Sequence, residues 1–199
     1  ENHQLNPLSS YAKHKVEIEN YIMSLNGQVD YCPTILRFAT AFGVSPRMRF
    51  DLTVNEFVRD TYNKKKIVVY DADTWRPYCH VKDFARFINI VLESPSRKTS
   101  FQVFNVGDDK NNFTKRMLVE KISKKIKDIK VDFLEHGVDP RNYRVSFTKV
   151  KKKFNFQCKF NIDYGIKELI KFFKSSKIKK LQKTHHTWGN FILKKYAKR

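Results

Sequence analysis

Hydrophobic residues along the chain follow two spacings, one typical of helices and one typical of strands. The helical spacing predicts helices over about Tyr11 to Leu25, Asp51 to Tyr62, Lys82 to Glu93, Lys115 to Ile126 and Asp163 to Phe173. Short apolar runs bounded by polar turns predict strands over Pro33 to Phe38, Ile67 to Tyr70, Phe101 to Val106 and Lys130 to Leu134. This alternation of strands and helices predicts an α/β fold.

The ends of the first helix carry clear local signals. Ser9 and Ser10 offer hydroxyl groups that can cap its first turn, and Asn26-Gly27 can stop it. Its apolar residues form a stripe at helical spacing: Val16, Ile18, Ile22 and Leu25.

Length and composition bound the class of protein. With 199 residues, 41% of them hydrophobic, the chain can form one compact domain. It has no apolar run of about 18 residues, as a membrane span would need, and its N-terminus lacks the features of a signal peptide. Cys32, Cys79 and Cys158 show no metal-binding spacing, so we expect reduced thiols, no metal site and a cytoplasmic location.

The net charge of +20 first suggests a nucleic-acid partner. However, Lys and Arg are spread over the predicted helices as well as concentrated after Lys149. We therefore interpret the charge first as a solvated surface. A basic nucleic-acid-binding module that uses the Lys-rich C-terminal stretch stays an alternative, and a steep loss of binding with salt would support it.

Tyr11 and Lys15 are four residues apart and therefore lie on one face of the predicted helix. A free tyrosine phenol titrates near pH ~10. A neighbouring cation stabilises a phenolate, which makes such a phenol a usable acid or base near neutral pH. An exposed pair on a lysine-rich helix is the alternative interpretation of this pattern alone.

An ordered series of segments favours the catalytic interpretation of Tyr11 and Lys15 over that of an exposed pair. They are Pro7 to Lys15 (P-x-S-x-Y-x-x-x-K), Leu36 to Gly43 (L-R-x-x-N and a glycine, with Thr40 replacing Asn), Ser45 to Asn55, Arg76 to Asp83 (R-x-x-x-H-V-x-D), Phe104 to Gly107 (F-N-V-G) and Asp139 to Arg144. In this order they resemble the extended short-chain dehydrogenases, a family of NAD-dependent nucleotide-sugar epimerases and dehydratases.

The resemblance implies an incomplete Rossmann-like sheet, made of its C-terminal strands and helices, plus a small α/β substrate-binding domain. Residues 1–50 are expected to be the Rossmann-like remnant, 51–173 mainly the substrate-binding region with returns to the sheet, and 174–199 a basic tail. The six glycines are isolated, so no glycine-rich cofactor motif is present. We therefore expect NAD or NADP to be bound mostly by an N-terminal part that precedes this chain.

The resemblance also implies roles for individual residues. Tyr11 would be the catalytic base, with Lys15 tuning it and holding the nicotinamide ribose, and Ala39 would lie on the cofactor side. The expected substrate-binding residues are Thr40, Asn55, Arg76, Arg141 and Arg144.

Several of these roles have alternatives. Arg76 could pair with Asp71 or Asp73 instead of a diphosphate, and Asn55 could be a helix residue that faces solvent. His80 could be a general base, but in the family this histidine is a structural residue of the strand-to-helix turn, which we favour. Asp83 is expected to cap or begin the following helix.

The function expected from the resemblance is that of a nucleotide-sugar enzyme working through a keto intermediate. The complete protein would be the active enzyme, with this chain inactive alone, and the Tyr11 helix would help to form a homodimer. A non-catalytic partner that keeps only the nucleotide-sugar pocket is the alternative within the same family. No membrane partner is expected.

Overall fold

The computed structural model describes residues 1–135 and 142–175. The helices are α1 (Ser10–Ser24), α2 (Thr53–Lys64), α3 (Val81–Leu92), α4 (Ser96–Thr99), α5 (Lys115–Ser123), α6 (Thr148–Phe154) and α7 (Ile162–Lys174). The strands are β1 (Thr34–Phe38), β2 (Thr40–Phe42), β3 (Lys66–Tyr70), β4 (Trp75–His80), β5 (Gln102–Val106), β6 (Asn112–Thr114) and β7 (Lys130–Leu134). The predicted α/β fold is confirmed.

The strands pair mainly in parallel. β1 pairs with β5, β3 pairs with β7, and β2 pairs with β4, all in parallel, whereas β4 pairs with β6 in the antiparallel direction. In the pairing of β2 with β4, Thr40 lies opposite Tyr78 and Phe42 lies opposite His80. The end of β1 therefore continues, after Ala39, into a short strand that is paired with β4.

Two clusters of buried apolar side chains hold these elements together. The first lies around α2, α5 and α7, and its fully buried members include Phe42, Val54 and Leu169. The second lies around β5 and α3 and includes Phe87, Phe104 and Phe147. Both clusters contain residues that are far apart in sequence, so contacts between distant parts of the chain hold the described ranges together.

The predicted helices and strands are all present within a few residues of their expected ends. Ser9 caps α1 by accepting a hydrogen bond from the Ala12 amide at 3.2 Å, and Thr114 caps α5. Sequence periodicity missed β2, β4, β6, α4 and α6. β2, β6 and α4 are too short to show a period, α6 is largely basic, and β4 mixes polar residues and a proline with its apolar ones. The apolar stripe of α1 is not buried: among the described residues this helix has no buried member, and Ile18 is 52% exposed.

No helix in the described ranges is long and apolar enough to cross a membrane. The predicted division at residues 50 and 173 stays a prediction. Nearly all of the predicted basic tail lies outside the described residues.

Candidate active site

The first helix presents the predicted catalytic pair on its surface. The Lys15 ammonium lies 5.6 Å from the centre of the Tyr11 ring, so the two side chains do share one face. Tyr11 is 73% exposed. Its phenol is therefore accessible to a ligand that approaches this face of α1.

An ion pair fixes this helix to the first strand. Arg37 Nε of β1 donates to Glu19 Oε2 of α1 at 2.9 Å, and Arg37 Nη2 also contacts Glu19 Oε1. The side chains are only 25% and 14% exposed, so solvent screens this pair less than a surface pair. Because Glu19 lies on the same helix face as Lys15 and Tyr11, the pair sets where that face points.

A second cation lies within electrostatic range of the phenol. Arg49 forms a two-pronged pair with Asp51, with both nitrogen–oxygen distances 2.7 Å. The pKa of the Arg49 guanidinium is raised, first by its hydrogen bonds to Asp51, then by that carboxylate's charge and by Tyr11. The loop that precedes α2 therefore brings the Arg49–Asp51 ion pair toward the Tyr11 end of α1.

A cavity of about 820 Å³ opens beside the end of β1. Its lining comes from the N-terminal segment, the end of β1, one residue each of β4 and β5, and the segment before α6. Among the lining residues are the predicted site residues Ala39, Thr40 and Arg144, together with Arg37 and Tyr143. A volume of this size suits a ligand larger than a monosaccharide.

Two arginines and two aromatic rings alternate beside this cavity. The Arg76 guanidinium lies 5.2 Å from the centre of the Tyr143 ring, and the Arg144 guanidinium lies 5.0 Å from the centre of the Trp75 ring. Arg76 Nη1 also donates to the Trp75 carbonyl at 2.7 Å. We call these four residues the Arg–aromatic cluster.

Hydrogen bonds hold the cluster's two halves together. The Trp75 amide donates to Asn142 Oδ1 at 2.9 Å, which fixes the segment before α6 against β4. Further along, the Val145 amide and carbonyl bond the Asn112 side chain, both at 3.1 Å. The position of Arg144 is thus determined by backbone contacts on either side of it.

Asp71 and Asp73 are the alternative partners predicted for Arg76, and one of them, Asp73, pairs with a different arginine. Asp73 accepts hydrogen bonds from Arg116 Nε at 2.8 Å and Nη2 at 2.9 Å, and Arg116 holds the pKa of that carboxyl below its usual range. Arg141 lies outside the described residues. The role of Arg76 toward a diphosphate stays a prediction.

Asn55 has a position that neither sequence interpretation anticipated. Its side chain is 2% exposed, so the solvent-facing alternative is wrong. The side-chain amide donates to the Arg49 carbonyl at 2.8 Å and to the Gly43 carbonyl at 3.5 Å, and Oδ1 accepts from the Gly43 amide at 3.0 Å. Asn55 therefore fixes the loop between β2 and α2, and its contact to a nucleotide stays a prediction.

His80 is a structural residue at the start of α3. Its ring is fully buried, and Nδ1 accepts from the Lys82 amide at 3.1 Å, which caps the helix. Nε2 therefore carries the proton in the neutral ring and donates to Glu168 Oε2 at 2.9 Å. Burial lowers the pKa of this imidazole despite the opposing effect of Glu168.

Sequence analysis missed Glu168, which lies on α7. Besides His80, its carboxylate accepts from the Val44 amide at 2.9 Å and contacts the Lys82 ammonium. Three hydrogen bonds outweigh the opposing effect of burial and lower the pKa of this carboxyl. A lone Glu on an amphipathic helix gives no sequence signal for such a role, because its partners are distant in the chain.

The structure groups the predicted residues into two sets. Ala39, Thr40 and Arg144 line the cavity, and Arg76 lies next to it. Tyr11 and Lys15 do not line that cavity, but their helix is joined to its wall through Glu19 and Arg37. In the described ranges no group of His, Cys, Asp or Glu side chains could hold a metal ion.

Comparison with known proteins assigns the class of this chain. The model of the NAD-dependent epimerase/dehydratase family matches residues 1–107, which is more than half of the 199 residues. The chain therefore belongs to the NAD-dependent epimerase/dehydratase family. Members of this family use NAD or a related dinucleotide.

Solved structures show the same fold. The dTDP-glucose 4,6-dehydratase of Bacillus anthracis, in complex with NAD, superposes with a TM-score of 0.76 at 22% identity, covering 89% of this chain and 56% of that one. An epimerase of Methanothermobacter thermautotrophicus gives a TM-score of 0.79 at 13% identity, covering 91% and 54%. MoeE5, in complex with UDP-glucuronic acid and NAD, gives 0.74 at 20% identity, covering 87% and 58%.

This chain thus spans little more than half the length of the proteins it resembles. Identities this low establish the fold, which is Rossmann-like and mixed α/β. They do not show which substrate this chain binds.

Proposed function

We propose that this chain supplies the substrate side and the catalytic tyrosine of an NAD-dependent nucleotide-sugar epimerase or dehydratase. The observation that carries the proposal is the Arg–aromatic cluster beside the cavity. A guanidinium offers a planar fork of donors that matches phosphate oxygens, so Arg76 and Arg144 suit a diphosphate. The nucleotide-sugar complex of MoeE5 supports the same substrate class.

Within this proposal the cavity holds the nucleotide-sugar. The rings of Trp75 and Tyr143 offer flat apolar faces to a base or a sugar. The Thr40 hydroxyl, at the start of β2, supplies a polar contact, and Asn55 acts by holding the loop that carries Arg49. Arg141 would add a further cation to the same segment.

The chemistry proposed for this chain is proton transfer at a sugar hydroxyl. Lys15 stabilises the Tyr11 phenolate from one helical turn away, and this phenolate takes the hydroxyl proton and becomes the neutral phenol. NAD, when bound, supplies the acceptor for the accompanying hydride and so permits a keto sugar. Glu19 and Arg37 keep this proton-transfer face aligned with the wall of the cavity.

The residues present fit part of a dinucleotide. The exposed Tyr11 and Lys15 face can donate hydrogen bonds to a ribose, and Ala39 lies at the end of β1 where it lines the cavity. The pyrophosphate would need a glycine-rich turn at a helix N-terminus. We therefore propose that a further part of the complete protein binds most of NAD or NADP and that this chain alone does not turn over.

The exposed surface of α1 supports the proposal of a homodimer. Ile18 is 52% exposed and Tyr21 is 65% exposed. A second copy of the helix would cover this apolar surface. A concentration-dependent dimer by analytical ultracentrifugation supports this arrangement, and a monomer at every concentration contradicts it.

Isothermal titration calorimetry tests the substrate class directly. UDP-, dTDP- and GDP-glucose are titrated against the chain, with free glucose and free nucleoside diphosphates as matched ligands. At least one nucleotide-sugar and its diphosphate should bind, with Kd below about 1 mM, whereas free glucose should not. Binding of glucose alone, or of none of these ligands, contradicts the proposal.

A further inference from the structure

Two cysteines far apart in sequence meet in the fold. Cys79 Sγ and Cys158 Sγ are 3.7 Å apart, although 79 positions separate them. Cys79 lies on β4 and is fully buried, whereas Cys158 lies between α6 and α7 and is partly exposed. Both are free thiols, as is the exposed Cys32.

Contacts on both sides hold the two sulfurs in place. Cys79 is registered opposite Ala41 in the pairing of β4 with β2. On the other side, the backbone amides of Lys159 and Phe160 donate to the Asp83 carboxylate at 3.1 and 3.0 Å. Asp83 is itself fully buried, so the segment that carries Cys158 is anchored next to β4.

We propose that Cys79 and Cys158 form a reversible redox pair that closes to a disulfide under oxidation by a hydroperoxide. Disulfide formation requires the two Cβ atoms to approach closely, and sulfurs already in contact need only small side-chain rotations. Cys32 is excluded from the pair because it lies on the exposed segment before β1. The pair is independent of the function proposed above.

The step balances with hydrogen peroxide as the oxidant. Cys158, the more accessible sulfur, attacks a peroxide oxygen and becomes a sulfenic acid as the oxygen–oxygen bond breaks and water leaves. Cys79 then attacks the sulfenic sulfur, the sulfur–sulfur bond forms and a second water leaves. Two thiols and one peroxide thus give one disulfide and two waters, with two electrons passing from sulfur to oxygen.

The environment of Cys158 sets how readily the pair reacts. Its hydrogen bond with Cys79, together with burial, raises the pKa of the Cys158 thiol. The thiolate is the reactive form, so oxidation should be slow near neutral pH and accelerate as the pH rises.

Closing the disulfide would join two parts of the fold near the candidate site. Cys79 precedes His80 on β4, and Cys158 precedes α7, which carries Glu168. The bond would therefore cross-link the strand and the helix that the His80–Glu168 contact already joins. A cross-link that encloses a long loop should raise Tm by on the order of 10 °C.

Peptide mapping of the full chain tests the proposal without any substitution. The chain is incubated with hydrogen peroxide at two pH values, alkylated in denaturant and digested with trypsin. Because trypsin cuts after Lys and Arg but not before Pro, Cys158 is released in the peptide 154–159 and Cys79 in a separate peptide, 67–82. Mass spectrometry should find these two peptides joined, more so at the higher pH, and separated again by dithiothreitol.

Two variants sharpen the result. Cys32→Ser should keep both the joined peptides and the rise in Tm, whereas Cys158→Ser should lose both. The proposal would be overturned if Cys158 were oxidised irreversibly while Cys79 remained a free thiol and was found alkylated. Disulfides found only at Cys32 would also overturn it. The mapping of the unsubstituted chain decides the question even if Cys158→Ser does not fold.

Discussion

Glu19 on the first helix and Arg37 on the first strand form a two-pronged ion pair in which both side chains are mostly buried. The helix has no buried residue among those described, and this pair joins it to strand β1. Arg37 also lines the cavity. The ion pair therefore connects the helix face that carries Tyr11 and Lys15, the proposed proton-transfer face, to the wall of the cavity proposed to hold the substrate.

Removing the charge of Glu19 should loosen the helix. Glu19→Gln leaves the Arg37 guanidinium partly buried beside a neutral amide, which should cost about 1–3 kcal/mol and lower Tm by roughly 2–10 °C. Glu17→Gln, on the exposed side of the same helix, should change Tm little. Equal Tm values for the two variants, measured by circular dichroism, would contradict this role of Glu19.

Two glycines with positive φ form a matched pair for testing the loop after β2. Gly43 has φ +104° and a Cβ there would clash with the His80 ring, whereas Gly27 has φ +79° and open space around it. Gly27→Ala should cost about 1 kcal/mol of backbone strain. Gly43→Ala adds displacement of a buried ring, so its free energy of unfolding by urea should fall by roughly 3 kcal/mol or more.

The buried imidazole predicts a loss of stability on mild acidification. Burial lowers the pKa of folded His80, so the unfolded chain takes up this proton first. The stability associated with the neutral ring is therefore complete above the unfolded value of ~6.5 and is lost as the pH falls from there toward the folded pKa. The Glu168 carboxyl has a lowered pKa, so its contribution is lost at still lower pH.

Thermal melts across this pH range measure the effect. Because the unfolded chain binds the His80 proton at a higher pH than the folded chain does, Tm should fall on going from about pH 7 to about pH 5. His14→Gln, at an exposed position on α1, should show the same fall. His80→Gln should have a lower Tm at neutral pH and a smaller dependence on pH. An undiminished dependence in that variant would contradict the assignment.

The Arg–aromatic cluster should set the affinity for the nucleotide-sugar. Arg144→Ala and Arg76→Ala each remove charge-assisted hydrogen bonds to phosphate, so Kd should rise by roughly 10- to 100-fold. Arg116 is a matched control, because it also lies over an aromatic ring, 4.5 Å from the centre of Phe133, but away from the cavity. If Arg116→Ala weakens binding as much as the other two variants, measured by calorimetry, the cluster is not the diphosphate site.

Local sequence signals predicted most of the fold. The five longer helices and the strands β1, β3, β5 and β7 follow from apolar spacing and from caps such as Ser9 and Thr114, because these signals depend only on neighbouring residues. The short strand β2 gave no signal, since three residues cannot show a period. Its existence depends on pairing with β4, which is a tertiary contact.

The candidate site was predictable in its residue types but not in their arrangement. The motif order pointed to Tyr11, Thr40, Arg76 and Arg144, and three of these lie in or beside one cavity. Neither the buried position of Asn55 nor the part played by Glu168 could be read from the sequence. Both depend on which backbone amides the fold brings within hydrogen-bonding distance.

The most direct measurement is turnover of Tyr11→Phe in the complete, NAD-binding protein. This change removes one hydroxyl group and keeps the ring under Lys15, and Tyr21→Phe on the same helix is its control. Tyr11→Phe should lower kcat by about 100-fold or more, with the nucleotide-sugar Kd nearly unchanged, whereas Tyr21→Phe should keep the wild-type rate. A Tyr11→Phe protein that turns over at the wild-type rate would contradict the proposed chemistry.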